Sequence, residues 1–379
     1  MFPEASAEIY FCNSLIELKR IGRSQLSPAM LREIRSCHTA DCRKNVLLLL
    51  FPVLWLVGAR IVGMRTSASM VGYVLMAVAV LGLSAVLHEA SHHLVFKSPR
   101  LNWLAGVAAG IPCLLSVSAY RALHLAHHAH ERSDLDPDDI EMHLKDGRML
   151  RVAYVGFAIL GTYLYLPHVA CHGFRLAKPS KRRLIVAEYA LSLGTILLAC
   201  RLLGAVWVAH YWLLPLIIAS QITSLRGLAE HGMTTAGNPF TASRTVVSTQ
   251  LVSFLLLNLN YHLEHHLFPG VPWYNLPRLH RILLPEYRLV GASVYPGYTR
   301  YFLDFASPAN RSAVGIVCAR TGRRTPPITT RAVNTRAGLP CMHPPMWSGS
   351  GRDVTAAGRG RCSRGLRRHR IDRSTDMKR

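Results

Sequence analysis

No two of the nine cysteines stand in a CxxC pair, so neither a disulfide framework nor a built-in rubredoxin-like centre is to be expected. The chain shows no dinucleotide fingerprint and no haem-binding domain, which leaves it without an electron carrier of its own. A cleavable secretory signal is not expected either: the first 45 residues scatter charges of both signs, and the first apolar stretch starts too late for an h-region. Acidic residues are scarce, 21 against 44 Lys and Arg, which gives a formal net charge of +23.

Such a charge is unusual in a chain that is 50% hydrophobic, and a single soluble domain would rarely combine the two. The apolar residues are clustered. Residues 46 to 64, 69 to 87, 101 to 119, 150 to 171, 184 to 200 and 203 to 220 each form a nearly uninterrupted apolar stretch. A bilayer core of roughly 30 Å needs about 20 helical residues, so each is a candidate membrane segment. Cys113, Cys171 and Cys200 lie in these stretches as small hydrophobes. Cys37 and Cys42 flank His38 in a solvated segment, which reads as a chance cluster.

Three parts follow: an N-terminal cytoplasmic segment, 1–45; a membrane domain, 46–306; and a basic tail, 307–379. From Pro308 onward the tail holds 15 Arg and one Lys against three Asp, with many Gly, Ser, Thr and Pro. It supplies +13 of the net charge and cannot bury enough apolar surface to offset its ordering entropy, so disorder is expected. A dispensable extension ranks above an anionic-lipid or nucleic-acid tether, and no specific nucleic acid is expected as a partner.

Of the 19 histidines, ten fall in four groups beside the membrane segments. The first is His88-Glu89-Ala90-Ser91-His92-His93, in which positions 88 and 92 project together from a helix. The second, His124-Leu125-Ala126-His127-His128, and the third, His262-Leu263-Glu264-His265-His266, place three imidazoles on one helical face by i, i+3, i+4 spacing. His231 stands apart. A lone helical histidine is usually a packed or solvated residue, but three clusters of this spacing point to metal. Ten imidazoles exceed the three or four that one zinc takes, so two ions are implied, and imidazole alone does not choose among iron, copper, nickel and zinc.

Ligands of one centre must meet on one side of the membrane, and this limits the topology. If 46 to 64 leaves and 69 to 87 returns, His88 emerges on the side of the N-terminus, which carries seven Lys and Arg before residue 46 and is therefore cytoplasmic. The stretch 101 to 119, broken by Gly110 and Pro112, is then re-entrant or buried, and 150 to 171 is interfacial. The pair 184 to 200 and 203 to 220 forms a second hairpin. The expected fold is an all-α integral membrane protein with four transmembrane helices in two hairpins, re-entrant or interfacial helices, and a cytoplasmic histidine-rich cap, in a bacterial inner membrane.

These groups resemble the three histidine boxes, HxxxHH, HxxHH and HxxHH, of the membrane fatty acid desaturase and hydroxylase superfamily. The run from Asn260 to Tyr274, with His262, His265 and His266 followed by Leu267-Phe268-Pro269-Gly270, is similar to the third box of bacterial acyl-lipid and rhizobitoxine-type desaturases. The resemblance covers about residues 46 to 290. It implies two iron ions, dioxygen as co-substrate, and removal of two hydrogens from adjacent carbons of a fatty acyl or related long-chain lipid. The same boxes also serve hydroxylases and carotenoid ketolases. Position by position, it implies His88, His92, His93, His124, His127, His128, His262, His265 and His266 as box ligands, His231 as an additional one, and one of His92 and His93 as an outer residue. Glu131 departs from the family, where many relatives carry threonine.

The family's chemistry needs two electrons per turnover, so a separate donor, a ferredoxin or a cytochrome b5-like protein, is implied. Lys178, Lys181, Arg182 and Arg183 form a basic docking face, or simply satisfy the positive-inside rule. Glu89, Glu230, Glu264 and, in the acidic run after the second box, Asp134 are candidates to orient ligands. His130, His143, His168, His172 and His280 have no evident partners; His210, mid-span, is expected to pack with a hydrogen bond inside the bundle. Trp273 and Tyr274 read as an interfacial aromatic belt.

Two rival readings exist. His88-Glu89-Ala90-Ser91-His92 also satisfies the HExxH pattern of zinc proteases, which leaves the other clusters unexplained. A histidine-rich metal transporter would need polar ligands within the spans themselves, whereas these sit at span ends.

Overall fold

The computed structural model describes residues 26–139 and 147–306. The basic tail, Glu141 and His143 lie outside the described residues, so the expectation of a disordered tail is not addressed by the fold.

Among the described residues, four helices are long and apolar enough to cross a membrane: Cys42–Gly63, Ser69–Ser91, Pro179–Leu203 and Ala205–His231. They fall in the two hairpins expected from the apolar runs. Their outward faces carry exposed Leu56, Val71, Val74, Leu191 and Leu198, as lipid contact requires. In the first hairpin the backbones nearly touch. A Cβ on Gly58 would lie 2.5 Å from Gly72 O, and one on Gly72 would lie 2.6 Å from Gly58 O. Small residues at a crossing permit this approach where apolar association with a partner helix has no solvent drive.

The stretch read as re-entrant is a bent helix pair, Pro99–Cys113 and Val117–His130, with 99° between its arms. Its first arm begins at Ser98, whose hydroxyl caps Leu101 N, with Pro99 in the first turn. Leu114, with φ +57, closes that arm in the left-handed conformation, and Ser116 Oγ caps the second arm through Ala119 N at 3.0 Å. The break thus lies at residues 114–116 rather than at Gly110 and Pro112 themselves. The second arm carries the second histidine group. The stretch expected to be interfacial is also bent, by 90° between Val152–Gly161 and Tyr163–Leu176.

Glu188, buried in the third span, holds the elbow of the re-entrant pair. It accepts hydrogen bonds from Trp103 Nε1 (2.7 Å), Ser116 Oγ (2.5 Å), Ser118 N (3.0 Å) and Ser118 Oγ (2.6 Å). A backbone elbow at membrane depth is tolerated only when its polar groups are answered in this way.

The main core joins the first two spans to the C-terminal cap, and it includes Ile34 and Cys37 from the helix Pro28–Cys37. The described part of the N-terminal segment therefore packs on the helix Leu276–Val290. Asn45 links them further, donating to Val95 O (2.6 Å) and accepting from Trp273 Nε1 (3.0 Å). Trp273 is 2% exposed, so it is a core residue and not part of an interfacial belt. His210 makes the expected hydrogen bond, to Tyr73 OH at 2.6 Å, but is exposed instead of enclosed in the bundle.

Glu188→Ala strands four donors in the elbow, each costing about 1–3 kcal/mol when left buried and unmet. The expected outcome is a clear drop in the thermal midpoint of the detergent-solubilised chain, larger than that of Glu188→Gln; the measurement is a tryptophan-fluorescence melt.

Candidate metal centre

Each histidine group is delivered by a helix end. His88 occupies the last turn of the second span, Ser69–Ser91, and His92 caps it. The second group occupies the last two turns of Val117–His130, His231 ends the fourth span, and the third group forms the short helix His262–Leu267. That helix is entered through Leu257 and Asn258, both at positive φ, and is tied to the chain before it by Val246 N donating to Asn260 O (2.9 Å) and by Asn260 Nδ2 donating to Val246 O (3.0 Å). Val246 itself belongs to a two-residue parallel pairing with Val294–Tyr295.

The helix ends bring nine of the ten histidines into two adjoining groups. In the first, His88, His92, His124, His128 and His265 offer nitrogens that all lie within 4.8 Å of one another. His124 Nε2 is 2.9 Å from His92 Nε2 and 3.0 Å from His128 Nε2, which is 3.1 Å from His265 Nε2. In the second, His127, His231 and His266 form a comparable set with Glu131. His262 joins it, its Nε2 lying 2.7 Å from His231 Nε2 and 3.1 Å from His266 Nε2. The groups abut where the rings of His128 and His266 stack at 4.3 Å.

Burial, and then the neighbouring imidazoles, holds His262, His265 and His266 well below the ordinary histidine pKa, so these rings are neutral with a lone pair to offer. Neutral nitrogens pointing at one another at such distances repel unless a proton or a cation lies between them. Protons cannot serve every contact, since His124 Nε2 faces two partners at once. Both nitrogens of buried His88 lack a hydrogen-bond partner among the described residues. A donor set of this kind fits two imidazole-bound metal ions.

His93 is placed elsewhere. The helix ends at Ser91, and His93 takes φ +62, which turns it out of the set of grouped nitrogens. Burial and the charges of Arg121 and Lys181 push it down to about pKa 4.

Carboxylates stand behind several rings. His127 Nδ1 meets Asp136 at 2.9 and 3.1 Å, so the carboxylate of the acidic run that reaches a grouped histidine is Asp136, not Asp134. The chain folds back there through Arg132, at φ +58, whose amide donates to Asp136 Oδ2 (3.0 Å). Glu89 Oε1 lies 3.6 Å from His88 Nδ1, and Glu230 Oε2 lies 3.5 Å from His262 Nδ1. Glu264 does not orient a grouped histidine; it pairs with His280 Nδ1 at 2.5 Å and with the Thr245 hydroxyl. His280 thus has a partner that its sequence context did not suggest, and so does His168, 3.3 Å from Asp138. As for the protease pattern, Glu89 is 1% exposed and its other oxygen accepts Trp273 N at 3.1 Å, which leaves it poorly placed to activate water.

A cavity of about 590 Å³ opens beside the histidines. Val80, Leu81, Leu115, Phe157, Leu164 and Leu216 supply apolar walls from the spans and both bent helices, and His88, His124, His127, His231 and His262 line it as well. Tyr120, also in its wall, stacks on His124 at 5.1 Å.

Comparison with known proteins bears on this arrangement. A family model described as fatty acid desaturase matches residues 66–298. The chain is 26% identical over 242 residues to a dihydrorhizobitoxine desaturase of Bradyrhizobium elkanii, covering 56% of this chain and 67% of the relative. It is 27% identical over 235 residues to a sphingolipid delta(4)-desaturase of Drosophila melanogaster, covering 59% and 68%. A beta-carotene ketolase of a Paracoccus species is 30% identical over 206 residues, covering 52% and 73%.

The two neighbours His92 and His93 should behave differently. Elemental analysis of purified chains is expected to show metal lost from the first group in His92→Ala and kept at the parent level in His93→Ala; equal loss in both would contradict the placement.

Proposed function

The chain belongs to the fatty acid desaturase family, and from that premise we propose that this membrane oxidoreductase introduces a double bond into a long-chain lipid lodged in the cavity. The observation that carries the reading is the meeting of an apolar cavity with two adjoining histidine groups. A saturated chain has no polar handle near the bonds to be broken, so an apolar wall must place it, and reactivity depends steeply on that placement.

We assign His88, His92, His124, His128 and His265 to one iron ion and His127, His231, His262 and His266 to the other, with His93 outside both. When bound, the iron pair supplies the activation of dioxygen that removal of hydrogen from an unactivated methylene requires. The protein's own part is to orient the imidazoles, keep His262, His265 and His266 neutral, and exclude water. Asp136, Glu89 and Glu230 accept from or face the far nitrogens of His127, His88 and His262, which fixes the nitrogen offered to the metal. Electrons come from a separate donor protein. Lys178, Lys181 and Arg183 are exposed and available to dock one. Arg182 is not, because it donates to the carbonyls of Phe174 and Arg175 at 3.1 Å each and closes the end of the bent helix Gly147–Leu176.

Two of the named relatives are desaturases, one of dihydrorhizobitoxine and one of a sphingolipid, and the third is a beta-carotene ketolase. Oxygen insertion is therefore the second reading, and the products decide between them. In a host expressing the full chain, lipid profiling by mass spectrometry is expected to show a new species lighter by two hydrogens, absent with His265→Ala. A species heavier by one oxygen would replace desaturation by hydroxylation; no new species from any lipid class would contradict both.

The orientation proposed is with the histidine groups and the N-terminus in the cytoplasm. Reporters fused after residues 100 and 183 are both expected to read cytoplasmic, and a periplasmic signal at either would overturn the four-span arrangement.

A further inference from the structure

Asp136 and Glu131 stand on the same segment after the second box, and they meet the histidines in different ways. Asp136 makes two hydrogen-bond-length contacts to His127 Nδ1 and also accepts the amides of Arg132 and Asp138, both at 3.0 Å. It is a fully engaged carboxylate that sets a ring. Glu131 is not so engaged at Oε1. That atom is buried and has no hydrogen-bond partner among the described residues, although it lies 3.0 Å from His266 Nδ1 and 4.0 Å from His231 Nδ1, and the Ser243 hydroxyl stands near the carboxyl group. At 3.0 Å a hydrogen bond would form if the N–H pointed at the oxygen, so the missing bond is a matter of direction rather than reach.

A carboxylate oxygen that is out of water and unmatched by a donor is costly unless a positive charge sits close by. Here the side chain is 13% exposed. Its ligand-distance set is made with His127, His231 and His266, all within 4.8 Å. The first histidine group contains no such oxygen: its five members are all imidazoles.

We infer that Glu131 is an oxygen ligand of the second metal ion, which makes the two ions chemically unlike, one held by imidazoles alone and the other by imidazoles and a carboxylate. The inference rests on the di-iron reading above. An anionic oxygen favours the harder, more highly charged state of its ion, so the second ion is the one retained longer against a neutral chelator and the easier to oxidise. The local chain supports this use of the side chain. Glu131 follows the last residue of the helix Val117–His130 and adopts φ −42, ψ 125, so it leaves the helical path where the group it faces begins.

The test uses the full chain in detergent, loaded with ferrous iron-57 and read by Mössbauer spectroscopy and by the time course of iron release to a chelator. The parent chain is expected to give two distinct doublets of equal area and two release phases. In Glu131→Ala one doublet should change and the slower phase should accelerate about 10- to 100-fold, while the other doublet and phase stay as they were. Added formate, small enough for the vacated space, should restore the altered doublet. Asp136→Asn serves as the comparison: it removes an orienting carboxylate, so formate should not restore its spectrum. Circular dichroism and elution volume report whether each variant is folded, and Glu131→Gln, which keeps the shape of the side chain, replaces Glu131→Ala if the latter is not. Two equivalent ions in the parent, unchanged spectra in the variant, or equal change at both ions would overturn the inference. A parent chain that binds no iron would instead defeat the di-iron reading itself.

Discussion

Mutual repulsion of buried imidazole lone pairs is the constraint around which this molecule is organised. Nine rings are gathered into two adjoining groups, burial holds His262, His265 and His266 well below the ordinary histidine pKa, and nitrogens of seven rings face one another at 2.7 to 3.1 Å. Without a cation such an assembly would swell or protonate. Rigid helix ends can oppose that tendency, because a ring on the last turn of a packed helix has little freedom to turn away. The second span, the fourth span, the re-entrant arm and the short third-box helix each contribute such an end.

Holding four helix ends at one point requires that a polar elbow be buried, and the solution is found in the third span. Glu188 collects four donors from the elbow, and Ser116 both donates to it and caps the arm that carries His124, His127 and His128. A single carboxylate therefore joins membrane packing to the geometry of the centre. On the other side of the centre, Glu89 connects His88 to the backbone of Trp273, and Asn45 connects Trp273 to the start of the first span. Shape and chemistry are coupled through these polar contacts more than through the apolar faces, which mostly look outward to lipid.

The spans were legible in the sequence because a bilayer imposes a length and a polarity that few other environments demand, and the runs of 17 to 19 apolar residues at the four spans meet both. The histidine groups were legible because i, i+3, i+4 spacing has a fixed meaning on a helix. What could not be read is where the chain reverses. Asp136 reaches His127 only because Arg132 takes a left-handed turn, and nothing in the spacing separates Asp136 from Asp134 beforehand. His93 lies next to His92 in sequence, but the helix stops between Ser91 and His93, and one positive φ sends the ring elsewhere. Glu188 was visible as a lone acid in an apolar stretch, and that anomaly was the available signal for the elbow. The partnership of His280 with Glu264 spans 16 residues and two helices, and it becomes apparent only with the cap assembled.

Direct visualisation of the centre offers the sharpest test. In a cryo-EM or anomalous-diffraction map of the chain purified with iron, two separate peaks are predicted, one among His88, His92, His124, His128 and His265 and one among His127, Glu131, His231, His262 and His266. A map with the rings in these positions and no density between them, or with a single ion serving both groups, would contradict the account.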